Sequence, residues 1–241
     1  MSLLTNLISY WKLDEASGNV ADSVGSNPLT NTSMTFGAGK INNCAIHNNS
    51  VASYFAITDA AQSGLAMASD FSISFWWNVA AGSDGERDFF CKFGASGDRG
   101  FRAYHTQVGA QHDLECDISS NGTAIDSYNS SYAISGAAAW RFIVFTWKAS
   151  TSKGNWYVNG STLGEVTGSA TSIHHSTQDF LIGIERTKGN INANQKLDEF
   201  GIWARVLTAT EVTTLYNAGA GLPYPFTLPV TSNASFLLNL I

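Results

Sequence analysis

The sequence places two carboxylates at a spacing that would let them act together on one strand. Glu115 and Asp117 are separated by one residue, so along a β-strand their side chains point to the same face. Such a pair could supply the acid and the nucleophile of glycoside hydrolysis. The next position on that face is Ser119 rather than a third acid, and two acids at this spacing are more typical of a solvated outer face. We therefore predict no catalytic residues here.

The other titratable pairs do not converge on a shared site. Asp14–Glu15, Asp198–Glu199 and His174–His175 are sequence neighbours, and neighbouring side chains on an extended chain point apart. The sequence carries no nucleophile-elbow, zinc-protease or phosphate-loop pattern. It therefore predicts a protein that is not an enzyme.

Glycan recognition would use a different set of side chains. Aromatic rings pack on the faces of sugars, and a few polar groups fix the hydroxyls. For each tyrosine the alternative is a turn aromatic that covers the edge of a sheet. The candidates on predicted loops and outer faces are Arg87, Arg99, Arg102, Tyr104, Tyr128, Asn129 and Tyr132.

The composition limits the classes of partner. The chain has 241 residues, 44% hydrophobic and only 13% charged, with a net charge of −6. It contains no cluster of Lys and Arg, so nucleic acid and anionic membranes are not expected partners. No apolar run approaches the ~20 residues of a membrane span. The first residues lack a basic segment and a cleavage site, so we expect a protein made in the cytoplasm without a signal peptide.

Short strands are the elements that must position the candidate side chains. Phe71–Val79 alternates apolar and polar residues, interrupted only by Trp76, and predicts a strand. Trp140–Trp147 is apolar on both faces and predicts a central strand. Asn159-Gly160 predicts a hairpin turn. Many such strands with Gly-rich turns favour an all-β sandwich or barrel.

One helix closes this run of strands. Thr208 and Glu211 fit the S/T-x-x-E capping box. Val212 and Leu215 give the helix an apolar face, and Gly219 is its predicted stop. A single closing helix narrows the choice of β fold and indicates little about activity.

Eight segments, in order, resemble the laminin G-like, concanavalin A-like jelly-roll domains. The resemblance implies two antiparallel sheets packed face to face, with ligands engaged by loops at an edge. We assign residues 1–221 to this domain and residues 222–241, which contain several prolines, to a C-terminal arm. Glucanases of this superfamily carry an E-x-D-x-E strand, from which the chain departs at Ser119. The eight segments are Leu7–Gly18, Ala21–Asn27, Gly39–Ile46, Phe71–Trp76, Trp140–Trp147, Trp156–Gly160, Leu197–Trp203 and the helix with its L-T-x-x-E-V-x-x-L-Y pattern.

The resemblance also implies a structural calcium ion. Members of the family often hold one between an early Asp turn and a late acidic strand, and the matching positions are Asp22, Asn27 and Asp198, with carbonyls around Ser23 and Gly25. Calcium takes six to eight oxygen ligands of this kind. In the alternative, Asp22 forms an Asx turn and Asp198 hydrogen-bonds to nearby N–H groups.

The function expected from this resemblance is non-catalytic recognition of glycans or of a protein partner, with the domain displayed on the surface of a particle. The alternative is a structural or decoration protein of a virion, such as a phage, in which residues 223–241 dock on a neighbouring subunit or drive self-association. A glycoside-active enzyme ranks third. The sequence does not indicate which glycan or protein is bound.

Overall fold

Two antiparallel sheets pack face to face in the computed structural model, which describes residues 2–48, 51–79, 85–108, 111–134, 136–188 and 195–227. This confirms the predicted two-sheet jelly-roll sandwich. The eight-stranded sheet has the order β13-β12-β11-β6-β15-β4-β3, with β1 paired to β15, and the seven-stranded sheet has the order β10-β9-β8-β7-β14-β5-β2. The strands are β1 (Leu7–Trp11), β2 (Thr30–Thr32), β3 (Thr35–Ala38), β4 (Asn43–Ile46), β5 (Tyr54–Ile57), β6 (Phe71–Val79), β7 (Gly85–Phe93), β8 (Arg99–Val108), β9 (Gln111–Ile118), β10 (Asp126–Ser131), β11 (Ala139–Lys148), β12 (Lys153–Val158), β13 (Ser161–Thr167), β14 (Phe180–Ile182) and β15 (Lys196–Trp203).

Aromatic side chains fill the space between the sheets. Phe75 of β6 stacks on Phe200 of β15, with 5.2 Å between ring centroids, and lies 4.8 Å from the Phe89 ring of the opposite sheet. The predicted strand Phe71–Val79 is confirmed as β6, and its apolar row faces this core. The predicted Asn159-Gly160 hairpin turn is also confirmed, since both residues have positive φ between β12 and β13.

The eight-stranded sheet is buried on its outer face as well. Phe142 and Val144 of β11 point away from the sandwich core, as does Trp76 of β6. A short helix, α1 (Ala209–Tyr216), covers them with Val212 and Leu215. This second layer explains why β11 is apolar on both faces.

Helix α1 begins with the predicted capping box. The Glu211 backbone N–H donates to Thr208 Oγ1, and the Thr208 N–H donates to the Glu211 carboxylate at 2.9 Å. The predicted stop at Gly219 is wrong by two residues. Asn217 takes the left-handed conformation at φ 47° and caps the helix, which Asn tolerates better than most residues.

The first described residues of the proline-containing arm pack on the domain itself. The ring of Phe226 lies 5.2 Å from that of Tyr10 and 6.2 Å from that of Trp203. Leu222 is buried, and its N–H donates to the carbonyl of Leu215. Residues 228–241, on which the predicted docking arm chiefly depends, lie outside the described residues.

A polar chain with fixed donors and acceptors crosses one end of the core. The Trp77 Nε1–H donates to Gln195 Oε1 at 2.9 Å, so the Gln195 amide nitrogen must donate to His47 Nε2 at 3.1 Å. His47 Nδ1–H then donates to Ser53 Oγ. Burial, and next the charge of Arg87, lower the pKa of His47 to about 3.

In the described part of the chain, no helix is both long and apolar enough to cross a membrane.

We expect the neutral state of His47 to make stability depend on pH. Its pKa is lower in the folded than in the unfolded chain, so unfolding takes up a proton and stability falls as the pH drops from 6.5 towards 3. In the wild-type protein His47 should make the free energy of unfolding fall by about 1.4 kcal/mol per pH unit between roughly pH 6 and 4, and His47→Gln should lack this contribution. Urea unfolding across this range measures it, with His175→Gln at an exposed histidine as the matched control. Equal slopes in all three proteins would contradict the prediction.

We also expect the stability of α1 to depend on the largely buried ion pair between Arg205 and Glu211. Arg205 donates twice to the Glu211 carboxylate at 2.8 Å, and these bonds with those from Thr208 lower the Glu211 pKa although burial opposes them. Glu211→Gln should cost about 3 kcal/mol, because the Arg205 charge then lacks its partner. Glu165→Gln, in an exposed pair with Lys153, should cost no more than about 1 kcal/mol. Chemical denaturation of both variants tests this, and equal losses would refute it.

Candidate functional site

The outer face of the seven-stranded sheet carries a set of polar side chains from four neighbouring strands. Phe101 and Ala103 of β8 point into the core, so the residues that alternate with them point outward. The register places the outward residues of each strand beside those of the next. We call this set the outer-face patch: Glu86 of β7, Arg102, Tyr104 and Thr106 of β8, Glu115 and Asp117 of β9, and Ser127 and Asn129 of β10.

Arg102 is the centre of the patch. Its Nε donates to Asp117 Oδ2 at 3.0 Å, its Nη2 lies 2.9 Å from the same oxygen, and its Nη1 lies 3.9 Å from Glu86 Oε1. The guanidinium carbon is 4.5 Å from the Tyr104 ring centroid and 5.1 Å from that of Phe93. Planar stacking and paired hydrogen bonds fix its orientation. A quarter of the Arg102 side chain stays exposed, so it can contact a ligand.

The two carboxylates of β9 are held by hydroxyl donors. Tyr104 Oη lies 3.2 Å from Glu115 and 3.3 Å from Asp117. Thr106 donates to Glu115 at 2.8 Å, and Ser127 donates to Asp117 at 2.5 Å. Burial, and next the Asp117 charge, raise the pKa of Tyr104, so its hydroxyl stays protonated. The patch is therefore a preorganised network of donors and acceptors.

A small cleft with both apolar and charged residues in its lining adjoins the patch on the same face. Cys91, Phe93 and Leu181 form its floor, and Lys188 on its rim is paired with Asp179 at 3.2 Å. Its volume is about 70 Å³, which is roughly the liquid volume of two water molecules. It can therefore hold one substituent of a ligand but not a whole sugar ring. The residues lining it are Cys91, Phe93, Gln178, Asp179, Leu181, Arg186 and Lys188.

Four of the seven residues predicted to bind a ligand lie on this outer face or at its margin. Arg102, Tyr104 and Asn129 belong to the outer-face patch. Arg99 lies beside Phe93, with 5.8 Å between its guanidinium carbon and the ring centroid. Tyr104 is only 7% exposed, and the Arg102 guanidinium lies over its ring, so this ring leaves little room for a sugar to stack on it.

The other three predicted residues lie elsewhere. Tyr128 is fully buried in the core and hydrogen-bonds to Ser152 at 3.0 Å, so the prediction that it is an exposed ligand contact is wrong. Tyr132 packs partly buried against the core. Arg87 is buried near His105 at the end of the sandwich, and burial lowers its pKa. None of these three joins the outer-face patch.

The predicted calcium residues divide between two hydrogen-bonded turns. Asp22 accepts the backbone N–H groups of Tyr10 and Val24 at 3.0 Å and that of Asn27 at 3.1 Å. The buried Asn27 amide bonds to Ser9 and to the backbone of Ser63. These bonds use Asp22 and Asn27 to tie a loop to β1, as the Asx-turn alternative predicts.

Asp198 anchors a different turn. Its Oδ2 accepts the N–H groups of Lys40 at 2.8 Å and Ile41 at 3.0 Å, while its Oδ1 has no hydrogen-bond partner. Burial raises the pKa of Asp198 to about 8 and that of Glu199 to about 7. Among the described residues, no group of three or more His, Cys, Asp and Glu side chains could hold a metal ion. Asp22 and Asn27 thus form bonds within one turn and Asp198 within another, and structural calcium at Asp22, Asn27 and Asp198 stays a prediction.

We expect Asp22 to stabilise the chain through its bonds to backbone amides. Asp22→Ala should lower the free energy of unfolding by about 2 kcal/mol, because three N–H groups lose their acceptor. Asp22→Asn, which keeps one oxygen acceptor, should lose less. Urea unfolding with calcium and with EDTA should give the same loss. A loss that appears only when calcium is present would place the ion at this turn.

Sequence reasoning missed the polar partners of the patch. Glu86, Thr106 and Ser127 are ordinary surface residues in sequence, and only the register across four strands makes them neighbours. One available signal was the alternation of Arg102, Tyr104 and Thr106 with apolar Phe101 and Ala103. That pattern marks an outward row on β8, but not what lies beside it.

Comparison with known families gives one match over most of the chain. Residues 48–213 match the family model described as the concanavalin A-like lectin/glucanases superfamily. This range includes every strand that contributes to the outer-face patch. Curated protein sequences include no match to the chain.

The fold is similar to solved toxin binding domains. The binding domain of Paraclostridial Mosquitocidal Protein 1 is 20% identical with a TM-score of 0.68, and 89% of this chain matches 52% of that one. The binding domain of botulinum neurotoxin DC, in complex with SialylT, is 16% identical with a TM-score of 0.68, and 90% of this chain matches 52% of it. The same domain in complex with rat synaptotagmin II is 17% identical with a TM-score of 0.66, and 88% of this chain matches 52% of it. At these identities the likeness shows the fold, and this chain spans about half the length of each structure.

Proposed function

Because the chain belongs to the concanavalin A-like lectin/glucanases superfamily, we propose that it is a non-catalytic recognition module that binds glycans on the outer-face patch. The observation that carries this proposal is that the outer face of one sheet is covered by other parts of the chain more fully than the outer face of the other sheet. Helix α1 and both described chain ends lie over the eight-stranded sheet. The corresponding face of the seven-stranded sheet carries a fixed polar network that includes the partly exposed Arg102 and the exposed Asn129.

The chemistry of the patch supports a glycan as ligand. Sugar hydroxyls both donate and accept hydrogen bonds, and the patch offers guanidinium and amide donors beside carboxylate and hydroxyl acceptors. Charge-assisted bonds from Arg102 to a hydroxyl are about twice as strong as neutral ones. Because the network is already in place, binding requires little ordering of side chains.

The carboxylates of the patch are poorly suited to catalysis. Asp117 is only 2% exposed, and both of its oxygens accept hydrogen bonds from Arg102, Tyr104 or Ser127. Both oxygens of Glu115 accept hydroxyl bonds. A glycosidase needs a carboxyl group that can reach the glycosidic oxygen or the anomeric carbon. This supports recognition over the third-ranked alternative of a glycoside-active enzyme.

The virion alternative depends on residues 223–241. Of these, Tyr224 and Phe226 pack on Tyr10 of their own domain, and residues 228–241 lie outside the described part. Docking on a neighbouring subunit, self-association and a place on a virion surface therefore stay predictions. A protein partner on the outer face is the nearer competitor to a glycan, and a glycan array separates the two.

We expect Arg102→Lys to weaken glycan binding at least about tenfold, because lysine keeps the charge but lacks the planar guanidinium group, which can donate two hydrogen bonds at once. The measurement is calorimetric titration with the best ligand from a glycan array. Lys153→Arg, on the outer face of the other sheet, is the matched conservative control. Unchanged affinity in Arg102→Lys, with the fold intact by circular dichroism, would move the site elsewhere.

A further inference from the structure

We infer that the outer-face patch selects neutral glycans and rejects those that carry carboxylate or sulfate groups. This inference rests on the proposed function and adds the class of ligand. It follows from the charges that the patch places around the position a ligand would occupy.

Acidic side chains outnumber basic ones on β7, β8 and β9. Register places five acidic residues on the outer face of these strands, and among their described residues the cations on that face are Arg99 and Arg102. Arg102 is already paired, with Asp117 at 2.9 Å and Glu86 at 3.9 Å. The five acidic residues are Glu86, Asp88, Asp113, Glu115 and Asp117.

Arg102 keeps its bond to Asp117, because that carboxylate is 2% exposed and removal of the partner from a buried charge is strongly unfavourable. An anion at the exposed part of Arg102 would therefore approach a guanidinium whose charge is already paired with Asp117 and that lies beside Glu86. Arg99 donates from its Nη1 to the carbonyl of Thr123 at 2.5 Å. An anionic ligand would thus meet several carboxylates beside these two guanidinium groups. A neutral sugar needs only hydrogen bonds, which the patch supplies.

The adjoining cleft does not reverse this balance. Lys188 on its rim is paired with Asp179, and the charge of Glu185 acts on Cys91 at the floor. Arg186 is the remaining cation of the rim. The charged residues that line the cleft are two cations, Arg186 and Lys188, and one anion, Asp179, so the cleft offsets only part of the excess of acidic side chains on β7, β8 and β9. The whole chain carries −6.

The test uses ligands that differ only in charge. A glycan array would present uronic-acid oligosaccharides as free acids and as methyl esters, beside their neutral parent sugars. We expect the esters or parents to bind and the free acids to bind at least about tenfold more weakly at low salt, with the gap narrowing as salt screens the repulsion. Glu86→Gln/Asp113→Asn should narrow the same gap. Glu165→Gln on β13, far from the patch, is the matched control.

The possible outcomes separate the inference from the function on which it rests. Free acids that bind as tightly as their esters, with Arg102→Lys still weakening both, would overturn the inference and leave glycan recognition standing. If Glu86→Gln/Asp113→Asn leaves the difference in affinity between free acids and esters unchanged, repulsion by these carboxylates is not its cause. If neither acids nor neutral sugars bind, or if Arg102→Lys has no effect on binding, the proposed function fails and the inference fails with it.

Discussion

The fold depends on the burial of the eight-stranded sheet on both of its faces. Apolar residues of β6 and β11 point outward as well as inward, so the sheet needs a second layer. That layer consists of α1 with the residues near both described ends, and the Arg205–Glu211 pair joins it to the capping box. The outer face of the seven-stranded sheet is covered only in part: Phe93 and Leu181 are buried, while Arg102 and Asn129 reach solvent.

Several carboxylates of the chain stabilise turns, a helix end or a neighbouring side chain. Asp22 and Asp198 bind backbone amides of turns, Glu211 caps a helix, and Asp117 orients Arg102. Glu199 stands at φ 53° in the irregular part of β15, buried beside Asp198. Asp198 and Asp117, which each belong to an acidic pair in the sequence, therefore hold backbone amides and a guanidinium in place.

Local signals predicted the elements well. The alternation of Phe71–Val79, the Asn159-Gly160 turn and the Thr208–Glu211 box each depend on a few neighbouring residues, and each was confirmed. The orientation of β10 was not accessible in this way. Its sequence, Asp126–Ser131, has one apolar residue in six, so no alternation marked Tyr128 as inward. The patch itself depends on register between strands, which is a non-local property that spacing along one strand cannot give.

The placement of the described chain ends has a practical consequence. The carbonyl of Leu3 accepts the Trp203 Nε1–H at 2.7 Å, and Phe226 packs on the same covered face. Both ends thus lie across the sandwich from the outer-face patch. A layer of molecules attached to a support at Leu3 or Phe226 would present every patch away from that support. Weak contacts of single sites would then add up to avidity towards any ligand that repeats along a polymer or a surface.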